Sequence, residues 1–131
     1  MQLISDLKGK GIGVSLNTSK TLSETECWQY KLGLDSPFII ENGAAILFPK
    51  NKFELEQLKP HKVESRGRYF CIVLGMKIDL LEDLYRPYAE KVTSLIHCPQ
   101  NEAKSLTGLG GSDLQRARTR EFSLPFIIPN P

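Results

Sequence analysis

The sequence lacks the features expected of a membrane-bound or nucleic-acid-binding protein. No apolar run approaches the roughly 20 residues of a membrane-spanning helix, and the N-terminus has no apolar stretch typical of a signal peptide. The chain carries 17 basic and 15 acidic side chains, so its net charge is only +2. This balance argues against a strong electrostatic footprint on nucleic acid or an anionic membrane. Any site for an anion must therefore be local.

Cysteine and histidine are also scarce. The three cysteines (Cys27, Cys71 and Cys98) are widely spaced and form no C-x-x-C pair, and the two histidines have no clustered acidic neighbours. This pattern indicates reduced thiols in a cytoplasmic protein, without a zinc site or a disulfide framework. The cysteines are best interpreted as small buried hydrophobic residues.

The 131 residues, 40% apolar and 24% charged, suit a globular protein. Their hydrophobic pattern predicts an α/β half followed by an α+β half, which is α+β overall. In the first half we predict a helix over residues 2–9, strands over Ile12–Leu16 and Phe38–Ile40, a helix ending at Leu32, and a hairpin strand over Ala45–Phe48. In the second half we predict strands over Arg68–Leu74 and Thr93–Ile96, helices over Ile78–Ala89, Asn101–Leu106 and Ser112–Thr119, and an extended segment over Glu121–Ile128. The polar residues 50–67 look like a surface connection.

Two polar clusters lie where predicted strands end. Thr18-Ser19-Lys20-Thr21 follows the first strand, and Glu41-Asn42-Gly43 follows the second. Ligands of open α/β sheets gather at the carboxyl ends of the strands, and hydroxyl, ammonium and amide groups suit an oxyanion such as phosphate. Structural roles explain the same residues, because Ser19 or Thr21 can cap the next helix and Asn42-Gly43 can form a type I′ hairpin turn. The residues alone leave both interpretations open.

Several segments of the chain resemble the mannosyl-3-phosphoglycerate phosphatase family of the haloacid dehalogenase superfamily. They are Asp6-Leu7-Lys8-Gly9-Lys10-Gly11, Thr18-Ser19-Lys20-Thr21, Leu32-Gly33-Leu34, Pro37-Phe38-Ile39-Ile40-Glu41-Asn42-Gly43-Ala44-Ala45-Ile46, Leu106-Thr107-Gly108 and Arg118-Thr119-Arg120-Glu121-Phe122-Ser123. The family fold is a parallel sheet flanked by helices, with an α+β cap over the substrate. The resemblance therefore implies a partial haloacid-dehalogenase-like core with two parallel-type strands over residues 1–49, a connection over 50–67, and a cap-like α+β region over 68–131.

The resemblance also implies roles for individual residues. Thr18 would supply the hydroxyl that binds the transferring phosphate, with Ser19 beside it and Lys20 at the mouth of the site. Asn42 and Gly43 would lie near the substrate. The cap would contribute three further side chains that face the site, where a guanidinium can meet a carboxylate. These are Arg118, Arg120 and Ser123.

The chain departs from the family pattern in the acidic motifs that carry out the family's reaction. The family uses an aspartate nucleophile in a D-x-D motif and further acidic residues that hold magnesium, whereas neither D-x-D nor D-D occurs in these 131 residues. We therefore expect a fragment or remnant that keeps the phosphate-side residues, has no catalytic residue, needs no cofactor of its own and is not catalytic alone. Its expected ligand is a phosphorylated sugar acid.

Two alternatives to this hypothesis stay open. One is a non-enzymatic module that binds a small anion or a protein partner. The other is an active phosphatase whose aspartates come from another chain or from flanking sequence. On the resemblance, the Ile12–Leu16 strand also lacks a neighbour, and an unpaired strand edge promotes association. We therefore predict a homodimer, with no nucleic-acid or membrane partner.

Overall fold

The computed structural model describes residues 2–129 of the chain, which form five α-helices and six β-strands. The helices are α1 Gln2–Gly9, α2 Leu22–Lys31, α3 Ile78–Tyr85, α4 Gln100–Thr107 and α5 Gly111–Arg118. The strands are β1 Phe38–Ile40, β2 Ala45–Pro49, β3 Val63–Arg66, β4 Tyr69–Val73, β5 Thr93–Ser94 and β6 Phe126–Ile127. This α+β composition confirms the predicted fold class. Within residues 2–129, no helix is long and apolar enough to cross a membrane.

Helix α2 begins and ends where its sequence signals place it. The Thr21 hydroxyl accepts a hydrogen bond from the Glu24 amide, while the Glu24 carboxylate accepts one from the Thr21 amide, which forms a capping box. At the other end, Leu32 is the C-cap and Gly33 has a φ of +60°. Glycine takes this left-handed conformation without the steric cost that a Cβ atom adds. Of the two predicted caps, Thr21 is the one used.

Four strands form an antiparallel sheet in the order β1-β2-β4-β3. The hairpin between β1 and β2 is confirmed, but its predicted two-residue type I′ turn is wrong. Ile40 pairs with Ala45, so four residues form the loop, and Glu41, Asn42 and Gly43 have φ angles of +48°, +61° and +89°. A second, two-stranded sheet pairs β5 with β6.

The predicted strand over Ile12–Leu16 is not formed. Its place is taken by an extended segment with one parallel bridge, Asn17 to Ile39, in which the Ile39 amide donates to the Leu16 carbonyl at 2.8 Å. The segment contains Gly11 and Gly13, and glycine weakens strands because it loses more conformational freedom on folding. The two predicted parallel strands of the core thus pair only through this bridge.

The polar segment predicted as a connection contains regular structure. A 3-10 turn covers Leu55–Leu58, and β3 forms the edge of the main sheet next to β4. The pattern of β3, Val-Glu-Ser-Arg, has one apolar residue, so it carries little hydrophobic signal for a strand. The sheet joins β1 and β2 to β3 and β4 across residues 50–67. The division at 1–49, 50–67 and 68–131 stays a prediction.

The main core lies on one face of the four-stranded sheet. It consists of Phe38, Ile40, Ala45, Leu47, Tyr69, Cys71 and Phe122. The Phe38 and Tyr69 rings meet edge to face with centroids 5.1 Å apart. Phe122 comes from the last part of the chain, so the core fixes that segment against β1 and β2. A second, smaller cluster of Cys98, Ala103 and Leu114 packs α4 against α5.

Candidate functional site

The two polar clusters of the sequence are neighbours in the structure. The Asn42 amide donates to the Thr18 carbonyl at 3.1 Å, and the Glu41 amide donates to the Lys20 carbonyl at 3.0 Å. These bonds continue the bridge between Asn17 and Ile39 and hold the loop of residues 18–20 against the β1–β2 loop. The two loops therefore form one surface in front of the α2 N-terminus.

Within this surface, the side chains of Thr18 and Lys20 differ in what they offer a ligand. The Thr18 hydroxyl accepts a hydrogen bond from the Lys20 amide at 3.1 Å and keeps its own proton available for donation. The Lys20 ammonium is 3.5 Å from a Glu24 carboxylate oxygen and is partly exposed to solvent. The Glu24 side chain is only 11% exposed, whereas the Lys20 side chain is 44% exposed, so the ammonium can also reach an anion from solvent. Ser19 and Asn42 are exposed beside it.

Glu41 is the residue at this surface whose role the sequence did not reveal. Its side chain is buried, and its carboxylate accepts hydrogen bonds from the Glu121 amide (3.0 Å), the Phe122 amide (3.0 Å) and the Ser123 hydroxyl (2.6 Å). The donors lie about 80 residues further along the chain. Glu41 therefore anchors the segment 121–123 to the β1–β2 loop.

Arg120 completes this anchor. Its guanidinium donates to the Ser19 carbonyl at 2.6 Å and to the Ser123 hydroxyl at 2.9 Å, and its Nε atom lies 4.0 Å from the Glu41 carboxylate. Both side chains of this ion pair are largely shielded from water. Buried charges need such partners, because the loss of hydration is otherwise too costly. Arg120 and Ser123 thus lie beside the two loops, and their polar groups are engaged within the chain.

Arg118 makes its contacts elsewhere. Its guanidinium donates to the carbonyl oxygens of Ile96 and Cys98, the latter at 2.8 Å. It lines a polar cleft near Gln100, Gln115 and Thr119. Arg118 thus contacts the region before α4 and lies apart from the other predicted site residues. The segments that hydrogen bonds bring together carry Thr18, Ser19, Lys20, Asn42, Gly43, Arg120 and Ser123.

A shallow cleft of about 250 Å³ opens beside Thr18 and Lys20. Its other walls include Leu16 and the exposed side of α2, where Trp28 lies. The Lys31 ammonium lies 5.2 Å from the centre of the Trp28 ring, on the same helix. Trp28 is the single tryptophan of the chain. Its fluorescence can therefore report on events at the neighbouring loop.

The acidic groups near these loops do not fit a magnesium site. The Glu24 carboxylate accepts a hydrogen bond from the Thr21 amide, and Glu41 uses both carboxylate oxygens for the segment 121–123. Magnesium requires oxygen ligands in a near-octahedral arrangement, which engaged carboxylates do not supply. Among residues 2–129, no group of three His, Cys, Asp or Glu side chains could hold a metal ion.

The buried thiols are also poorly suited to nucleophilic chemistry. Cys71 lies in the main core, and burial raises the pKa of its thiol to about 11. The thiolate is the nucleophilic form, so Cys71 is protonated and unreactive near neutral pH. Cys98 is buried in the smaller cluster. Both residues agree with the prediction of small hydrophobic cysteines.

Comparison with curated proteins finds similarity to phosphatases over most of the chain. It is 34% identical over 126 residues to a glucosyl-3-phosphoglycerate/mannosyl-3-phosphoglycerate phosphatase of Persephonella marina. The aligned region covers 93% of this chain and 45% of that protein. It is 33% identical over 125 residues to a mannosyl-3-phosphoglycerate phosphatase of Pyrococcus furiosus. This second alignment covers 92% of this chain and 49% of that protein. No family model matches the chain.

By sequence, the chain is a relative of the mannosyl-3-phosphoglycerate phosphatases, and the predicted resemblance is confirmed. A homologue from Methanococcoides burtonii, a glucosyl-3-phosphoglycerate/mannosyl-3-phosphoglycerate phosphatase, gives a similar result at 32% identity over 126 residues. The chain spans about half the length of the curated relatives it matches.

Proposed function

We propose that this chain binds a phosphorylated sugar acid through the loops at Thr18–Lys20 and Asn42–Gly43, and that it does not hydrolyse the phosphate by itself. The observation that carries the proposal is the alignment of 92–93% of the chain with phosphatases named for glucosyl- and mannosyl-3-phosphoglycerate. The hydrogen bonds that join the two loops support it, because they bring groups suited to an oxyanion to one surface.

The phosphate end of the ligand would meet the loop of residues 18–20. Lys20 supplies a partly exposed positive charge, which acts as a point charge toward phosphate oxygens. The Thr18 and Ser19 hydroxyls and the side-chain amide of Asn42 would donate hydrogen bonds at its sides. With a net charge of only +2 for the chain, binding would depend on these local groups and not on a broad basic field.

We expect no turnover by the chain alone, because the carboxylates beside the loops are engaged in hydrogen bonds. Covalent phosphoryl transfer to a carboxylate requires an oxygen free to attack the phosphorus atom. Glu24 and Glu41, the acidic side chains beside the loops, accept hydrogen bonds that fix the helix start and the segment 121–123. We assign both of them structural roles, and no step of the proposal involves a metal ion.

Arg120 and Ser123 would serve the site indirectly in this proposal. They hold the segment 119–123 against Ser19 and Glu41, and so fix the loop that binds the phosphate. Arg118 would take part only if the acid group of the ligand reached the cleft at α4 and α5.

A non-enzymatic interaction module is the second candidate function. The observation that favours it is a wide apolar surface on α3 and β6, whose side chains are largely exposed. A soluble domain rarely leaves such a surface uncovered unless a partner binds there.

The proposal is tested by titrating mannosyl-3-phosphoglycerate and inorganic phosphate while recording Trp28 fluorescence. Lys20→Gln removes the charge at the loop and should weaken the affinity about tenfold, on the order of 1.4 kcal/mol. The matched control Lys62→Gln changes the same charge at an exposed position outside the loops and should bind like wild type. Saturable binding of equal affinity in wild type and Lys20→Gln would place the ligand elsewhere and refute the assignment.

A further inference from the structure

The cleft beside Thr18 and Lys20 combines a polar end with an apolar wall. Its lining consists of Leu16, Asn17, Thr18, Lys20, Thr25, Trp28 and Leu32. The loop before α2 supplies a hydroxyl and an ammonium group, whereas Leu16 and helix α2 supply aliphatic and aromatic side chains. Small-molecule sites are typically lined by apolar side chains, with a few polar groups that fix the orientation of the ligand. The cleft therefore offers contacts to more of a ligand than its phosphate.

Helix α2 presents one face to this cleft. Thr25 and Trp28 are three residues apart, and the C-cap Leu32 is four residues further on, so they lie on one side of the helix. Thr25 is buried, and its hydroxyl donates to the Thr21 carbonyl at 2.8 Å, so this hydroxyl is engaged within the helix. Trp28 is 46% exposed. It is therefore the aromatic side chain of this face that a ligand can reach.

The spacing along α2 sets the length of a ligand that contacts both ends of the cleft. Trp28 is seven residues after the N-cap Thr21, which corresponds to about 10 Å along the helix axis. The Cα–Cβ bonds of a helix tilt toward its N-terminus, so the Trp28 side chain leans toward the loop. Lys20 lies at that N-terminal end. A ligand that contacts both Lys20 and Trp28 must therefore extend beyond its phosphate group.

We propose that Trp28 packs against the sugar ring of the ligand and sets a preference for glycosylated over unglycosylated phosphoglycerate. This inference rests on the proposed function, because the phosphate must already lie at the loop of residues 18–20. The faces of the indole ring carry negative electrostatic potential, which attracts the weakly positive C–H groups on one side of a sugar. Phosphoglycerate without a sugar has no ring to place there. Trp28 thus distinguishes the two compounds while the loop binds their common phosphate.

Lys31 helps to define which face of the indole is used. Its ammonium lies 5.2 Å from the centre of the Trp28 ring, a cation–π contact within helix α2. This contact covers one face of the ring and favours one orientation of it. In the proposal the sugar packs against the opposite face, next to Leu16 and Leu32.

Isothermal titration calorimetry with mannosyl-3-phosphoglycerate and with 3-phosphoglycerate tests the proposal. Wild type should bind the glycosylated compound about tenfold more tightly, as expected for one aromatic contact. Trp28→Leu should bind 3-phosphoglycerate like wild type and lose most of this preference, whereas Trp28→Phe keeps an aromatic face and should retain part of it. The matched control is Tyr30→Leu, which removes an aromatic side chain of the same helix that is 88% exposed and outside the cleft. It should bind both compounds like wild type.

The ratio of the two affinities separates a role in specificity from a role in folding. Equal weakening of both compounds by Trp28→Leu would overturn the proposal, because it would show a general effect on the loop. An unchanged ratio in Trp28→Leu, or equal affinities of wild type for the two compounds, would overturn it as well. These results would leave the proposed function standing. Failure of wild type to bind either compound would instead refute the proposed function and this inference with it. Circular dichroism spectra verify the fold of each variant.

Discussion

At the scale of single residues, Glu41 holds the candidate site together. Its carboxylate collects two amides and a hydroxyl from the segment 121–123, with the Arg120 guanidinium nearby. Charge-assisted hydrogen bonds of this kind are stronger than neutral ones, and a buried charge is stable only when it is fully partnered. The residue therefore determines whether the last part of the chain stays against the first.

Glu41→Gln should destabilise the chain by about 2–4 kcal/mol, because the amide group brings a donor toward backbone amides that also donate. Urea unfolding followed by circular dichroism measures the change. The matched control Glu56→Gln alters an exposed carboxylate paired with Lys59 and should change stability by less than about 0.5 kcal/mol. Equal unfolding midpoints for wild type and Glu41→Gln would contradict the anchoring role.

The sequence could predict part of this site and not the rest, for a physical reason. The clusters at Thr18–Lys20 and Asn42–Gly43 stand out because each follows an apolar run, and their chemistry is local. The role of Glu41 depends on donors about 80 residues away, which no local pattern brings into view. The internal use of Arg120 and Ser123 depends on the same tertiary contact.

At the scale of elements, the sequence predicted helix ends and the hairpin correctly where capping and turn residues mark them. The cap at Thr21, the end at Gly33 and the hairpin between β1 and β2 all rest on side chains or backbone angles of a few neighbouring residues. The wrong strand predictions concern segments in which pairing with a distant strand decides whether a strand forms. The edge strand β3 forms because β4 offers it hydrogen bonds, and Ile12–Leu16 remains irregular although its residues include three large aliphatics.

Thr21 links two elements, so its loss should cost more than a simple helix cap. Besides the capping box, its hydroxyl donates to the Arg116 carbonyl at 2.9 Å and ties α2 to the end of α5. Thr21→Ala should lower the free energy of unfolding by about 1–3 kcal/mol, since it removes both the cap and the side-chain hydrogen bond between α2 and α5, although the Arg116 carbonyl keeps the Thr119 amide as a donor.

Thr21→Ser is the matched control for this prediction, because it keeps the hydroxyl and removes a methyl group. Its cost should be below about 1 kcal/mol. Thermal or urea unfolding of the two variants gives the comparison. If Thr21→Ser proved as unstable as Thr21→Ala, the stabilisation would come from the methyl group and not from the hydrogen bonds.

At the scale of the whole molecule, two surfaces of different chemistry lie on separate parts of the chain. Residues 18–20 and 41–43 form a polar surface, and exposed side chains of α3 and β6 form an apolar one. The chain spans about half the length of its curated relatives, whose names specify phosphatases. Binding without turnover is the central proposal for this chain, and it can be tested on the chain alone.

Phosphorus NMR of mannosyl-3-phosphoglycerate mixed with the chain and magnesium tests binding and turnover in one spectrum. We expect the signal of the phosphate ester to broaden and shift as protein is added, because bound and free ligand exchange, and to keep its full intensity over many hours. Growth of an inorganic phosphate signal at a rate proportional to the chain would contradict the lack of catalysis. An ester signal that stays sharp and unmoved at excess protein would contradict the binding itself.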